Sequence, residues 1–230
     1  MTLDRKIPRG TRLASLAVGV AALLLASGVQ AQSTSPVVLD CSAGQSTASV
    51  TFGTDASWSQ SNDGGTTWAS AVTATNSGWS AAPSGSDWIG NGTNGLPGST
   101  HRFLRVLQLG AGVDTATPLT VATTFRVDNA LNSVTVGGQS VAGASGGTYN
   151  GVETTASDSV TLPITGSYPV IAEITNTGGP YGLALSMTVT ATCRAATPAA
   201  VPADAPWALG LLAGMIGVAA AGLGRRRRKG

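Results

Sequence analysis

The chain has 230 residues, a formal net charge of +2 and only 10% charged residues. The positive balance sits at its two ends. Between residues 32 and 200 four arginines (Arg102, Arg105, Arg126 and Arg194) stand against nine carboxylates, a net charge of about −5. Such a middle has no patch that could neutralise phosphates, which argues against nucleic acid as a partner. Abundant Gly, Ser, Thr and Val with little Lys, Glu or Leu argues against long helices and for strands joined by turns.

Residues 1–12 carry Arg5, Lys6, Arg9 and Arg12, and Leu13 to Ala26 is an apolar run. Small residues follow at Val29 and Ala31, the −3 and −1 positions of a signal-peptidase site. The pattern predicts a secretory signal peptide over residues 1–31, cleaved between Ala31 and Gln32. The run is short for a retained anchor. Export bears on the two cysteines, Cys41 and Cys193. In an oxidising compartment the simplest reading is one disulfide closing the domain and setting the first and last strands side by side; two free thiols are the alternative.

Residues 32–195 are expected to form one all-β domain, an antiparallel β-sandwich. Alternation and turn signals mark strands at Ser49–Phe52, Arg102–Leu109, Leu119–Val127, Val134–Val136, Val160–Ile164, Tyr168–Ile174 and Leu183–Val189. Trp58 and Trp68 flank an expected hairpin around Asp63-Gly64-Gly65. Pro163 and Pro169 place their strands at an edge or in partial pairing. No fixed internal repeat is present, which argues against a propeller or solenoid.

Two stretches of this middle carry resemblances. Ser61-Asn62-Asp63-Gly64-Gly65-Thr66-Thr67-Trp68 resembles the Asp-box, S-x-D-x-G-x-T-W. Its chemistry is a turn clip: Ser61, Asp63, Gly65 and Thr67 close the turn while Trp68 packs beneath. A single copy implies a hairpin and not a sialidase. The order from Trp79 to Val189 resembles a galactose-binding-like jelly roll. A Trp-bearing loop from Gly78 to Gly90 precedes the strand HRFLRVLQL, then TTFRVDNALNSVTVGG with Gly137-Gly138 where that family often has Asn-Gly, then ITNTGGPYGLALSMTV. The resemblance implies a β-sandwich and, at one remove, a carbohydrate ligand.

Residues 196–206 form a Pro/Ala linker with a sorting motif, 207–223 an apolar transmembrane helix, and 224–230 a basic tail. Trp207 stands where an interfacial aromatic belongs, and Arg225, Arg226, Arg227 and Arg228 form a positive-inside stop. This tripartite tail resembles the C-terminal sorting signals of the PEP-CTERM group and its IPTL-CTERM relatives. Val201 and Pro202, with Trp207 five residues after the proline, keep the IPTL spacing, although Val201 replaces Ile and Ala203-Asp204 replaces Thr-Leu. The resemblance implies an exosortase-type enzyme as partner, transient contact with the inner membrane, and delivery to the cell surface or extracellular matrix. A retained anchor is the alternative.

Catalytic groups are sparse. His101 is the only histidine and has no G-x-S-x-G elbow beside it. Glu153 and Glu173 are the only glutamates, and nothing marks either as half of a glycosidase pair. The expectation is therefore a protein without catalysis. Asp87, Asp128 and Asn129 are the candidates for a structural calcium site, against the reading that they cap turns. Trp79 and Trp88 are the candidate sugar-stacking platforms, because they fall in a polar, loop-like stretch; core packing is the competing reading. Carbohydrate or exopolysaccharide binding is the leading function, and structural or adhesive contact with proteins or with itself the alternative.

Overall fold

The computed structural model describes residues 35–195. The signal peptide expected over residues 1–31, with its cleavage site at Ala31 and Gln32, falls outside the described residues. So do the expected linker, the expected sorting motif at Val201, Pro202 and Trp207, the expected membrane helix and the arginine tail.

Strict alternation builds the longest strands. Leu119, Val121, Phe125 and Val127 point to one side and Thr120, Ala122 and Thr124 to the other, so this segment is extended and amphipathic. Twelve strands form: β1 (Val37–Leu39), β2 (Thr47–Gly53), β3 (Ser59–Ser61), β4 (Ala69–Ser70), β5 (Ile89–Gly95), β6 (Ser99–Leu109), β7 (Leu119–Asp128), β8 (Ala130–Val136), β9 (Gln139–Ser140), β10 (Thr154–Val160), β11 (Gly166–Asn176) and β12 (Gly179–Thr192). The described residues contain no helix.

One sheet runs β4-β3-β6-β11-β8-β9 and the other β10-β7-β12-β2. In each sheet one long strand carries two short neighbours in series along one edge. Strand β6 pairs with β3 through Arg102–Leu104 and with β1 through Leu107–Leu109. Strand β12 pairs with β5 through Gly179–Leu183 and with β2 through Ser186–Thr192. The pairing is antiparallel throughout except for β1, which lies parallel to β6. Between the sheets Phe103, Leu107, Val170 and Ile174 meet Val121, Phe125, Leu183, Leu185 and Met187 in one buried core. The outer face of the five-stranded sheet is lined instead by small hydroxyl residues, with Ser49 bonded to Thr190 and Thr51 to Thr188 across the ladder.

Cys41 and Cys193 are bonded, with their Cα atoms 5.7 Å apart. The strand beside β12 is β2, however, not the first strand. β1 belongs to the other sheet, so the disulfide clips the end of one sheet to the end of the other.

The strand expected at Val160–Ile164 lies earlier, at β10, and Pro163 falls in the loop after it. Thr154 to Ser159 is polar because β10 is an edge strand with a solvated face. Pro169 sits in a central strand, opposite Val106 of β6 and one residue beyond the Val170–Val136 pair that ends the β8 ladder. Its carbonyl accepts from Gly137 in the turn that ends β8. Its missing N–H points the same way, past the last rung of that ladder, so nothing is lost. That turn is Gly137-Gly138, with φ of 60° and 82°, the left-handed pair that a two-residue hairpin requires.

Candidate functional site

Strand β3 carries two amides toward the open edge between the sheets. Gln60 points inward and Asn62 follows at the strand end, exposed to solvent. From the inner face of β6 comes His101, and from the start of β12 comes Tyr181. Both occupy positions that the alternation assigns to the core, and both are only 4% exposed. Their rings stack across the sandwich at 3.7 Å between centroids and 7° between planes.

A single carbonyl oxygen organises these groups. Asn62 Oδ1 accepts from Gln60 Nε2 (2.8 Å), from His101 Nδ1 (2.9 Å) and from the Tyr181 hydroxyl (3.1 Å). Gln60 Nε2 also donates to the Tyr181 oxygen at 2.9 Å. On the far side of the imidazole, Ser99 Oγ lies 2.8 Å from Nε2. Burial pushes the His101 imidazole below its ordinary value and the Tyr181 phenol above its own.

Above this network opens a cleft of about 490 Å³. Its floor is Gln60, Asn62 and Tyr181, and its walls are the segment from Val72 to Thr75 and strand β5 from Gly90 to Thr93. The walls are held edge to edge: Gly90 N donates to Val72 O, Ala74 N to Trp88 O, and Asn76 Nδ2 to Gly92 O. Gly92 permits this approach, because a Cβ there would lie 2.2 Å from the Thr75 carbonyl oxygen. No charged side chain lines the cleft. Asn91 is engaged with Thr93 and Asn94. By contrast the Thr73 and Thr75 hydroxyls and Asn62 Nδ2 have no hydrogen-bond partner among the described residues, so they are available to a ligand.

Trp79 and Trp88 are elsewhere. They lie over the outer face of the five-stranded sheet and stack on each other, 4.4 Å between centroids. Trp88 is 7% exposed and donates to Ser80 O; Trp79 is half-buried and donates to Asp128 Oδ2 at 2.7 Å. The Trp79 ring sits on Gly182, where any Cβ would come within 2.7 Å of it. The facing surfaces of the pair are thus used up in packing, with Trp88 buried and Trp79 partly so.

Two of the calcium candidates, Asp128 and Asn129, are engaged through their side chains and the third, Asp87, through its backbone. Asp128 is bonded by Trp79 and Asn129, and Asn129 Oδ1 accepts from Thr177 N. Burial raises the Asp128 carboxyl, with the Trp79 bond opposing. Asp87 binds Thr54 through its backbone. Among the described residues no three His, Cys, Asp or Glu side chains come together in a way that could hold a metal ion.

The Asp-box turn is closed by its own side chains. Asp63 Oδ1 accepts from Thr66 N and Thr67 N, Oδ2 from the Thr67 hydroxyl, and Ser61 Oγ from Gly65 N. Trp68 Nε1 donates to Gly65 O. The Thr67 hydroxyl and amide, then the Ser61 hydroxyl, hold the Asp63 carboxyl well below the usual carboxylate range. Trp68 also edges a groove of about 290 Å³ on the outer face of the seven-stranded sheet, floored by Leu104, Val106, Pro169 and Ile171.

Sequence reasoning passed over Gln60, Asn62, Thr73, Thr75 and Tyr181 as ligand-binding groups. One signal was available. His101 precedes Phe103 and Tyr181 precedes Leu183 at core-facing positions, and polar groups on a core face need partners.

No family model matches the chain, and no curated protein matches it. Among solved structures it is similar to a family 35 carbohydrate-binding module from Clostridium thermocellum, with 18% identity over 60% of this chain and 96% of that one and a TM-score of 0.35. It is similar to the xylan-binding module CBM15 at 10% identity over 64% of this chain and 99% of that one, TM-score 0.35. A third likeness, at 14% identity and TM-score 0.30, covers 59% of this chain and 24% of the isomalto-dextranase of Arthrobacter globiformis T6 complexed with panose. Likeness at this level carries no argument for function, which rests on the cleft itself.

Proposed function

We propose that the chain is an exported surface protein whose galactose-binding-like jelly roll holds a neutral carbohydrate, such as an exopolysaccharide, without chemically altering it. The observation that carries this reading is the uncharged cleft with free hydroxyls and amide hydrogens at its wall and floor. Sugar hydroxyls exchange water for such neutral donors and acceptors at little desolvation cost. An anion or cation would be left without a counter-charge there. Catalysis has little support: Glu173 is paired with Arg102 at 2.7 Å and Glu153 with Arg126 at 3.8 Å, and neither lines the cleft. The disulfide suits an oxidising compartment, in keeping with signal-peptidase release after Ala31 and handling of the tail by an exosortase-type enzyme.

Affinity electrophoresis of the full chain in gels containing neutral polysaccharides tests the reading. We expect retardation by at least one polymer, and a Thr73→Val/Thr75→Val double variant to bind about 10-fold more weakly, the worth of two neutral hydrogen bonds. A wild type unretarded by every neutral polymer would refute it. The mass of the cell-surface form tests the sorting half, since a species retaining Arg228 contradicts removal of the tail.

The apolar groove beside Trp68 favours a second reading, adhesive contact with proteins or with another copy. Concentration-dependent assembly in sedimentation velocity, abolished by Val106→Ser, would support it; a monomer at all concentrations would not.

A further inference from the structure

The cleft floor contains an amide whose orientation is fixed from beneath. Three donors converge on Asn62 Oδ1, from Gln60, His101 and Tyr181, each belonging to a different strand. With the His101 proton on Nδ1, rotating the amide by half a turn would bring its N–H groups against the N–H of Gln60 and the N–H of His101, so that tautomer holds the outward end as nitrogen. Asn62 is exposed, and Nδ2 has no hydrogen-bond partner among the described residues. Both hydrogens are therefore presented at the cleft.

We propose that Asn62 is a specificity-determining donor whose polarity is set by the His101–Tyr181–Gln60 network, so that the cleft selects a neutral saccharide presenting a ring or hydroxyl oxygen as acceptor at this point. This rests on the carbohydrate-binding reading of the same cleft. Gln60, His101 and Tyr181 are positioning residues. His101 Nδ1 lies 2.9 Å from the amide oxygen, a contact that requires the ring proton on Nδ1, and the ring face lies flat on Tyr181. The stack joins β6 to β12, and β3 supplies both amides, so three strands spanning both sheets fix one atom. A rigidly aimed donor discriminates more sharply than a rotatable hydroxyl, because a ligand lacking the acceptor leaves it unpaired.

Asn62→Asp separates binding from folding. The side chains are nearly isosteric. The inner oxygen would still receive its three donors, now as a carboxylate, while the outward nitrogen becomes an acceptor. We expect the full-length variant to match or exceed the wild type in Tm. Its affinity for the best-retained member of a panel of cello-, manno-, galacto- and xylo-oligosaccharides should fall about 10-fold or more. Equal affinity in variant and wild type would overturn the proposal while leaving the carbohydrate reading intact. A wild type that retains no member of the panel would remove that reading and the recognition role together. The polarity has its own test. Long-range 1H–15N spectra of His101 in the wild type should show the proton on Nδ1, and a neutral ring protonated on Nε2 would overturn the orientation of the amide.

Discussion

Asn62 and Asp63 are neighbours in sequence and opposites in use. The Asp63 carboxylate is saturated by its own turn: two backbone amides and the hydroxyls of Ser61 and Thr67 surround it. The Asn62 amide is saturated on its oxygen and free on its nitrogen. The first builds a hairpin, and the second keeps one polar end for a ligand. A polar group announces function less by its type than by which of its bonds the fold leaves unmade.

The largest perturbation should strike both regions together. A Cys41→Ser/Cys193→Ser variant reopens a loop of 152 residues and should lose about 4–5 kcal/mol by the chain-entropy argument, read by urea denaturation. Turn and cleft should still unfold in one transition, and separate transitions would make them independent units. Next comes Gly92→Ala, whose Cβ collides with the Thr75 carbonyl and should cost about 1–3 kcal/mol. It strikes the cleft wall and spares the turn, so oligosaccharide affinity should fall as well. Asp63→Ala is its counterpart. Stability should drop less, because the carboxylate is solvated and water can replace it, and saccharide affinity should stay unchanged. The Asp63 contribution is present above the unfolded carboxylate value of about 3.9 and is lost only as pH falls through its depressed folded value.

The smallest effect concerns the floor of the cleft. The folded state depresses the His101 value from 6.5 through burial. Stability is then full above the unfolded value and declines as pH falls below about 6.5 toward the folded one, because the unfolded chain takes up the proton first. His101 is the only histidine, so a thermal-denaturation series for His101→Gln should show that slope flattened. An unchanged slope would move its origin elsewhere.

How far the sequence reaches follows from the same physics. The alternation of β7 and the paired glycines of the β8–β9 turn are local and were legible, and the export pattern pointed to the disulfide. β10 escaped because TTASDSV is a polar edge strand, whereas the apolar LPI beside it drew attention. The stacking of Trp79 on Trp88 is not legible in the pair's polar neighbours. What decides its burial is Gly182, about a hundred residues later in the chain, which leaves room for a ring on the sheet. The cleft was illegible for a related reason: Gln60, Thr73, Asn91, His101 and Tyr181 come from five separated segments, and their meeting is a property of strand order.

The most direct measurement is a titration of the 15N-labelled full chain with the neutral oligosaccharide that the panel retains best. Shifts are expected at the Asn62 side-chain amide and at the backbone amides of Thr73 and Thr75, with the Trp79 and Trp88 indole signals unmoved. Shifts confined to those indoles or to Trp68, with Asn62 still, would contradict binding at the cleft.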